Sequence, residues 1–554
     1  MSNVVTVLSP AGIAPRTDRK SMADRPESLA GRTVFLLDAG YDNSDVFLAE
    51  LSGQLRAREP SVTVRTVKLA DIVEPAPEIY ERIAKEGDFA ICALGLCSMC
   101  APAVTNHAVR LESDYRVPTV AVHDQAFARL VASASKMAGV PGLRHVFLPS
   151  PVRGRKSSEF REAIQGRDPV TGKPFLDELL DDLTHPLSAE DASSGSAEEA
   201  QPRITEASSE DAVRQIFLDN GWTDGLPIVL PTPERVAAML AGTSHRPDEI
   251  VGRIRGTKTR PFWTFTVEQV AVNAVMAGAT PAEFPTILAL FSSGYTARHS
   301  STSSIGRMVV LNGPVRDEIG ANAGIGALGP YSRVNSAIGR AYGLGSQNLQ
   351  GGSEPGVSYV GSLGSPFALT NLTFAENEER SPWEPLHVQY GYAPSESTAT
   401  IFGMVRSLVM VPAGIRPTWR EQVAAVLSGL RPGAGATLIL DPLAAQDLVT
   451  REGFATKQSL REWMAESGRA TARRWRDRPR PNKYEALAQE GIEPWASYFA
   501  AEDNALIPTN SLEDVHVVVV GGGTLPCWAV SEGLTNKSEQ NHLYGATVSI
   551  DEWR

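Results

Sequence analysis

Two cysteines three residues apart, Cys97 and Cys100, are the side chains of this chain best spaced for chemistry. They close the stretch DFAICALGLCSMC, in which an apolar run from Phe89 to Leu94 breaks at Gly95. A thiol at the start of a helix faces unpaired backbone N–H groups and the positive end of the helix dipole, and both favour thiolate over thiol. Cys97 is therefore the expected nucleophile, with Cys100 near enough to resolve a mixed disulfide formed on it. Cys92, inside the apolar run, reads as buried packing. Two other readings compete: a pair of core cysteines at a tight turn, or zinc. A structural zinc takes four ligands, and the sequence offers no second Cys-x-x-Cys, only His107 and His123 as helpers.

The elements that must position the thiols follow from periodicity. Strand-like runs at Thr33–Asp38, Val62–Val67, Asp88–Leu94, Pro118–Val122 and His145–Leu148 alternate with helical stretches from Ser44, at Glu78–Glu86, at Ala103–Tyr115 and at Gln125–Met137. Such alternation predicts a parallel sheet with right-handed crossovers, a small flavodoxin-like doubly wound layer. Ligands of such sheets bind at the carboxyl ends of the strands. That edge collects Asp38, the loop from Gly95 to Cys100, His123, Asp124 and Pro149. His123 and Asp124 directly follow a strand, a position suited to moving protons.

The chain has 554 residues, more than one core can hold, since single cores stop growing at about 250 to 300 residues. Residues 1–30 read as a flexible leader, 31–183 as the thiol domain, 184–210 as a disordered linker and 211–554 as a larger α/β or α+β domain that binds substrate. The linker rests on PLSAEDASSGSAEEAQPRITEASSE, whose Ser, Ala and Glu cannot bury enough apolar surface to offset chain entropy. A net charge of −12 argues against nucleic-acid and membrane partners, and four cysteines are too few for a secreted disulfide scaffold. The expected location is cytoplasmic.

Residues from about Gly31 to Pro151 resemble the UGSC family of selenoproteins and their cysteine forms, on GRTVFLLDAGYDN, ALGLCSMC, VPTVAVHDQAF and LRHVFLPSPV. The family motif is selenocysteine-Gly-Ser-Cys. The matching positions here are Cys97, Ser98, Met99 and Cys100, so the outer pair agrees in chemistry and the middle pair departs. A position that accepts selenium calls for a strong, easily deprotonated nucleophile, and the resemblance thus implies Cys97 as attacking atom and Cys100 as resolver. The later stretches DGLPIVLPT, NGPVR, RVNSAIGRA, GGSEPG and AENEERSPWEPLHV resemble the larger partner domain that accompanies UGSC-type domains.

In that second unit, Gly and Asn crowd a region read as long loops, and such loops are usually functional. The expected substrate-binding residues are Asn312, Asn322, Asn335, Arg333, Arg340, Glu376, Glu384 and His387. Arginines there suit a carboxylate or phosphate, and the Glu and His residues suit acid/base work. A strand ending at Val520 runs into Gly521-Gly522-Gly523-Thr524, a weak anion loop with Cys527, Asn541 and His542 as neighbours.

The leading expectation is a thiol-dependent oxidoreductase acting on a small organic substrate, recycled by a thioredoxin-like or small-thiol reductant; the sequence names no cofactor beyond that reductant. A homo-oligomer is compatible with it. Two alternatives stand beside it: a metal- or acid/base-dependent lyase or hydrolase centred on Glu376, Glu384 or His387, and a non-enzymatic redox-sensing or soft-metal-binding protein.

Overall fold

The apolar runs of the first half become five parallel strands: β1 (Thr33–Asp38), β2 (Thr63–Lys68), β3 (Phe89–Gly95), β4 (Thr119–Asp124) and β5 (Arg144–Leu148). This computed structural model describes residues 4–193, 195–197, 202–300, 306–411, 416–477, 483–533 and 545–554. The strands lie in the order β2-β1-β3-β4-β5, all parallel, which is the flavodoxin-like arrangement. Helices α1 (Ser44–Arg58), α2 (Pro77–Glu86), α3 (Cys100–Ser113), α4 (Ala128–Met137), α5 (Ser157–Gln165) and α6 (Phe175–Thr184) connect and cover them.

Alternate strand residues face opposite sides, so one sequence run feeds two cores. Val34, Leu36, Ile91, Val120 and Val146 pack against α1, α5 and α6 through Phe47, Leu51, Phe160, Phe175 and Leu179. Phe35, Leu37, Ala90, Cys92 and Ala121 pack on the other face against α2 and α3 through Tyr80, Ile83, Ala103 and Val104.

The second unit has four layers. Helices at Val267–Met276, Phe284–Ser292 and Arg333–Asn348 pack on one face of a mixed sheet containing Gly306–Asn312 and Thr398–Val405, through Val309, Leu311, Ala399 and Ile401. The opposite face presents Met308, Val310, Phe374 and Phe402 to Ile439, Val518 and Ala529 of a second sheet. That second sheet is covered in turn by helices at Trp419–Gly429, Pro442–Thr450 and Lys457–Ser467. The order is helix, sheet, sheet, helix.

Three expectations are corrected. The leader is not loose: Val5–Leu8 pairs antiparallel with Ile204–Ala207, and Thr17–Arg19 with Gly195–Ala197. The same pairings make strands of residues 195–197 and 204–207 of the expected linker. Side-chain composition measures burial, whereas here backbone hydrogen bonds to a distant segment hold both strands. Val7 and Leu8 are buried in the core of the second unit. Finally, the glycine-rich RVNSAIGRAYGLGSQN is no loop but a buried helix. Its glycines permit close packing: a Cβ on Gly339 would lie 1.7 Å from the Thr370 carbonyl oxygen, and one on Gly345 2.4 Å from the Phe291 ring.

Candidate functional site: a disulfide at the carboxyl edge of the sheet

Strand β3 is central and wholly buried, and it delivers its last residue, Gly95, to the edge where β1 and β3 diverge towards opposite sides of the fold. This is the topological switch point, where doubly wound sheets hold ligands. The chain turns through Leu96 to Met99 and enters α3 at Cys100. The Ala101 N–H donates to the Cys97 carbonyl oxygen at 2.9 Å and starts the helical ladder. Pro102 is accommodated because first-turn residues have no intrahelical acceptor to lose.

Cys97 and Cys100 form a disulfide, with Cα atoms 5.0 Å apart. The Cys100 N–H points at the Cys97 sulfur, 2.9 Å away. Once the bond is reduced, that donor would favour the thiolate of Cys97. Cys97 retains 7% exposure and Cys100 none, so an outside reactant meets Cys97 first. Cys92 faces the α2 and α3 side, and burial pushes its thiol well up, which makes it packing, as expected. Asp38, at the end of β1, accepts from the Gly40 N–H at 2.7 Å and the Ser44 hydroxyl at 2.5 Å, pinning the neighbouring loop.

His123 is fully buried at the end of β4. Its ring lies against Gly95 so closely that a Cβ there would be 2.1 Å from Nδ1. The Ser135 hydroxyl donates to the Val131 carbonyl at 2.9 Å, so its oxygen accepts from His145 Nε2 at 2.8 Å. His145 Nδ1 then accepts from His123 Nε2 at 3.1 Å. This leaves His123 Nδ1 a bare acceptor, buried and without a partner among the described residues, under the loop that leads to Cys97. Desolvation lowers both imidazoles, His123 well below its ordinary range and His145 to about 3, so both are neutral.

Asp124 ends β4 on the expected edge; it accepts from the Ala126 N–H at 2.9 Å, the Val152 N–H at 3.0 Å and the Ser150 hydroxyl, and so clamps the β5–α5 loop. His107 donates from Nε2 to the Ile72 carbonyl at 2.8 Å and accepts from the Tyr80 hydroxyl at 2.5 Å, and is a satisfied core residue. Among the described residues no group of three or more His, Cys, Asp or Glu side chains is arranged to hold a metal ion.

The second unit reaches this edge through the stretch from Gly351 to Val360. Glu354 pairs with Arg129 at 2.5 Å, and Val360 packs on the cluster of Ala101, Phe127, Leu130 and Phe147. The residues expected to bind substrate do not converge. Glu376 is fully buried and accepts from Asn312 Nδ2 at 2.6 Å, the Leu386 N–H at 2.7 Å and Lys457 Nζ at 2.7 Å. Asn322 and Asn335 bond each other's loop, with Asn322 N–H to Asn335 Oδ1 at 2.9 Å. Arg333 pairs with Glu283 at 2.5 Å, and Arg340 grips Asp224 through two bonds of 2.8 and 2.9 Å. Glu384 is exposed, and His387 is buried with Nε2 on the Ala393 carbonyl at 3.1 Å. Apart from the exposed Glu384, these side chains make contacts that hold the four-layer fold. The Gly521–Thr524 loop is likewise occupied, the Gly523 N–H donating to the Asp441 carboxylate at 2.9 Å. Asn541 and His542 lie outside the described residues.

Sequence reading missed Ser135 and His145. The signal was parity: in register, His123 pairs with Phe147, so His145, two residues earlier, shares its face of the sheet.

No helix among the described residues is long and apolar enough to cross a membrane. No curated protein and no solved structure matches the chain. Residues 6–173 match the model of the UGSC family, a span that takes in the Val5–Leu8 strand from its second residue, the whole parallel sheet and the disulfide loop. The chain therefore carries an N-terminal UGSC-family domain within a larger α/β protein.

Proposed function

We propose that the protein is a thiol-dependent oxidoreductase acting on a small organic substrate, with Cys97 as nucleophile and Cys100 as resolving thiol. The observation that carries this reading is the Cys97–Cys100 disulfide at the switch point of a doubly wound sheet, with Cys97 the more exposed residue of the pair. Written for a disulfide substrate, the Cys97 thiolate attacks one sulfur, a Cys97–substrate bond forms, and the first half of the substrate leaves as thiolate. The Cys100 sulfur, losing its proton, then attacks the Cys97 sulfur and releases the second half. Two electrons pass from the dithiol to the substrate, and an external thiol returns the pair to its reduced form. The proton lost by Cys100 passes to the departing substrate thiolate, because desolvation keeps His123 neutral and a poor base.

The test uses the reduced full-length chain. Cys97→Ala should reduce turnover to background. Cys100→Ala should accumulate a Cys97 adduct that mass spectrometry reads and that added thiol releases. The Cys97 alkylation rate should titrate below the ordinary thiol value of about 8.5. Undiminished turnover in both variants would end the proposal, and reversible disulfide formation with no substrate consumed would point to redox sensing.

A further inference from the structure

A cleft of about 980 Å³ lies away from the disulfide, between the α3 and α4 side of the UGSC domain and the segment from Arg255 to Pro261 of the second unit. Asn106 of α3 fastens that segment by donating to the Thr259 carbonyl at 3.0 Å. Arg260 lies in the wall, only 6% exposed. Among the described residues its Nε and Nη1 have no hydrogen-bond partner, and its side chain's polar contact there is from Nη2 to the Met137 sulfur at 3.9 Å. Sulfur is a weak acceptor, so the charge is desolvated without compensation, an arrangement that proteins avoid.

Arg110, Arg255 and Lys258 line the same cleft, and its only carboxylates among the described residues are Asp71 and Glu74. Asp71 is turned to the loop backbone, accepting from the Val73 N–H at 2.6 Å. Arg255 is already positioned, its guanidinium 4.2 Å above the Phe262 ring and one N–H on the Lys258 carbonyl at 3.1 Å. A cleft of this size suits an organic molecule rather than a lone inorganic ion.

We infer that this cleft binds a small organic oxyanion carrying at least two negative charges, for which Arg260 supplies the central counter-charge. Burial alone lowers Arg260 to about 10, with no carboxylate acting on it, so the side chain stays cationic at neutral pH and is stabilised when an anion enters.

The test is calorimetric titration of the full-length chain with glycerol 3-phosphate and, separately, with succinate, against sodium chloride at equal ionic strength. Saturable one-to-one binding of at least one probe is expected, weakened at least tenfold by Arg260→Met, and the probe that binds more tightly distinguishes phosphate from carboxylate recognition. The unliganded Arg260→Met protein should melt higher than the parent, because an uncompensated charge has been removed. Should that variant not fold, Lys258→Gln, which is partly exposed, should still weaken binding at least threefold. Binding of neither probe above the chloride control, equal affinity in the variants, or a lowered melting point in folded Arg260→Met would overturn the inference.

Discussion

His107, His123, His145 and His516 are each held below the ordinary imidazole range, in every case chiefly by desolvation, His145 and His516 to about 3. In the unfolded chain each titrates near 6.5. Below that value the unfolded chain takes up protons that the native protein does not, so the stability these residues contribute is present above about pH 6.5 and is lost as pH falls below it, down to about 3 for His145 and His516. Asp182, raised to about 6 by burial, acts in the opposite sense, losing its contribution as pH rises through that value. The informative measurement is thus a comparison of variant with parent. Urea unfolding of His516→Leu between pH 6.5 and 5 should show a slope shallower by about 1 kcal/mol per pH unit on average, approaching about 1.4 at pH 5. An unchanged slope would remove His516 from this account.

At the scale of elements, the junction of β3 and α3 depends on one missing methyl group. Gly95 has no positive φ to satisfy; it is small because the His123 ring occupies the space where a Cβ would be. Gly95→Ala should destabilise the protein by about 1 to 3 kcal/mol, the usual cost of overpacking. In a His123→Ala background the same change should cost less, since the ring that it strikes hardest is gone and only the Ala101 Cα, 2.9 Å from that Cβ, remains in the way. Equal costs in the two backgrounds, read from urea unfolding, would separate Gly95 from His123. The buried Lys457–Glu376 pair has a comparable local logic, joining the Lys457–Ser467 helix to the strand that ends at Ala375. It explains why Glu376 is unavailable for acid/base chemistry.

For the whole molecule, the N-terminal segment binds the two units together. Residues 5–8 pair with 204–207 and bury Val7 and Leu8 among the helices of the second unit, whereas residues 17–19 return to pair beside the UGSC domain. Each of those side chains contributes about 1.5 to 3 kcal/mol when fully buried. Deleting residues 1–13 should therefore lower the stability of the second unit by about 3 to 6 kcal/mol. It should also expose the 202–210 segment to protease, which limited proteolysis and urea unfolding read together. A second unit equally stable without those residues would show the pairing to be incidental.

The sequence by itself determined the parallel sheet, its strand-helix alternation, and hence the edge on which Cys97, Cys100, Asp38 and His123 meet. Parallel strands all end on the same side, so knowing the elements was enough to gather those residues. The strand read as ending at Val520 is also present, spanning Val515–Val519. Only the tertiary structure decided which polar residues were free. Arg340 and Asp224 stand 116 residues apart, and nothing in either neighbourhood marks them as partners. Glycines that read as loop proved to be contacts between a helix and its neighbours, because close approach and positive φ select the same residue. The leader and linker were misread because strand pairing between distant segments is made by backbone groups, which every sequence possesses. The lone guanidinium of Arg260 was invisible for the converse reason: an absent partner has no sequence signature.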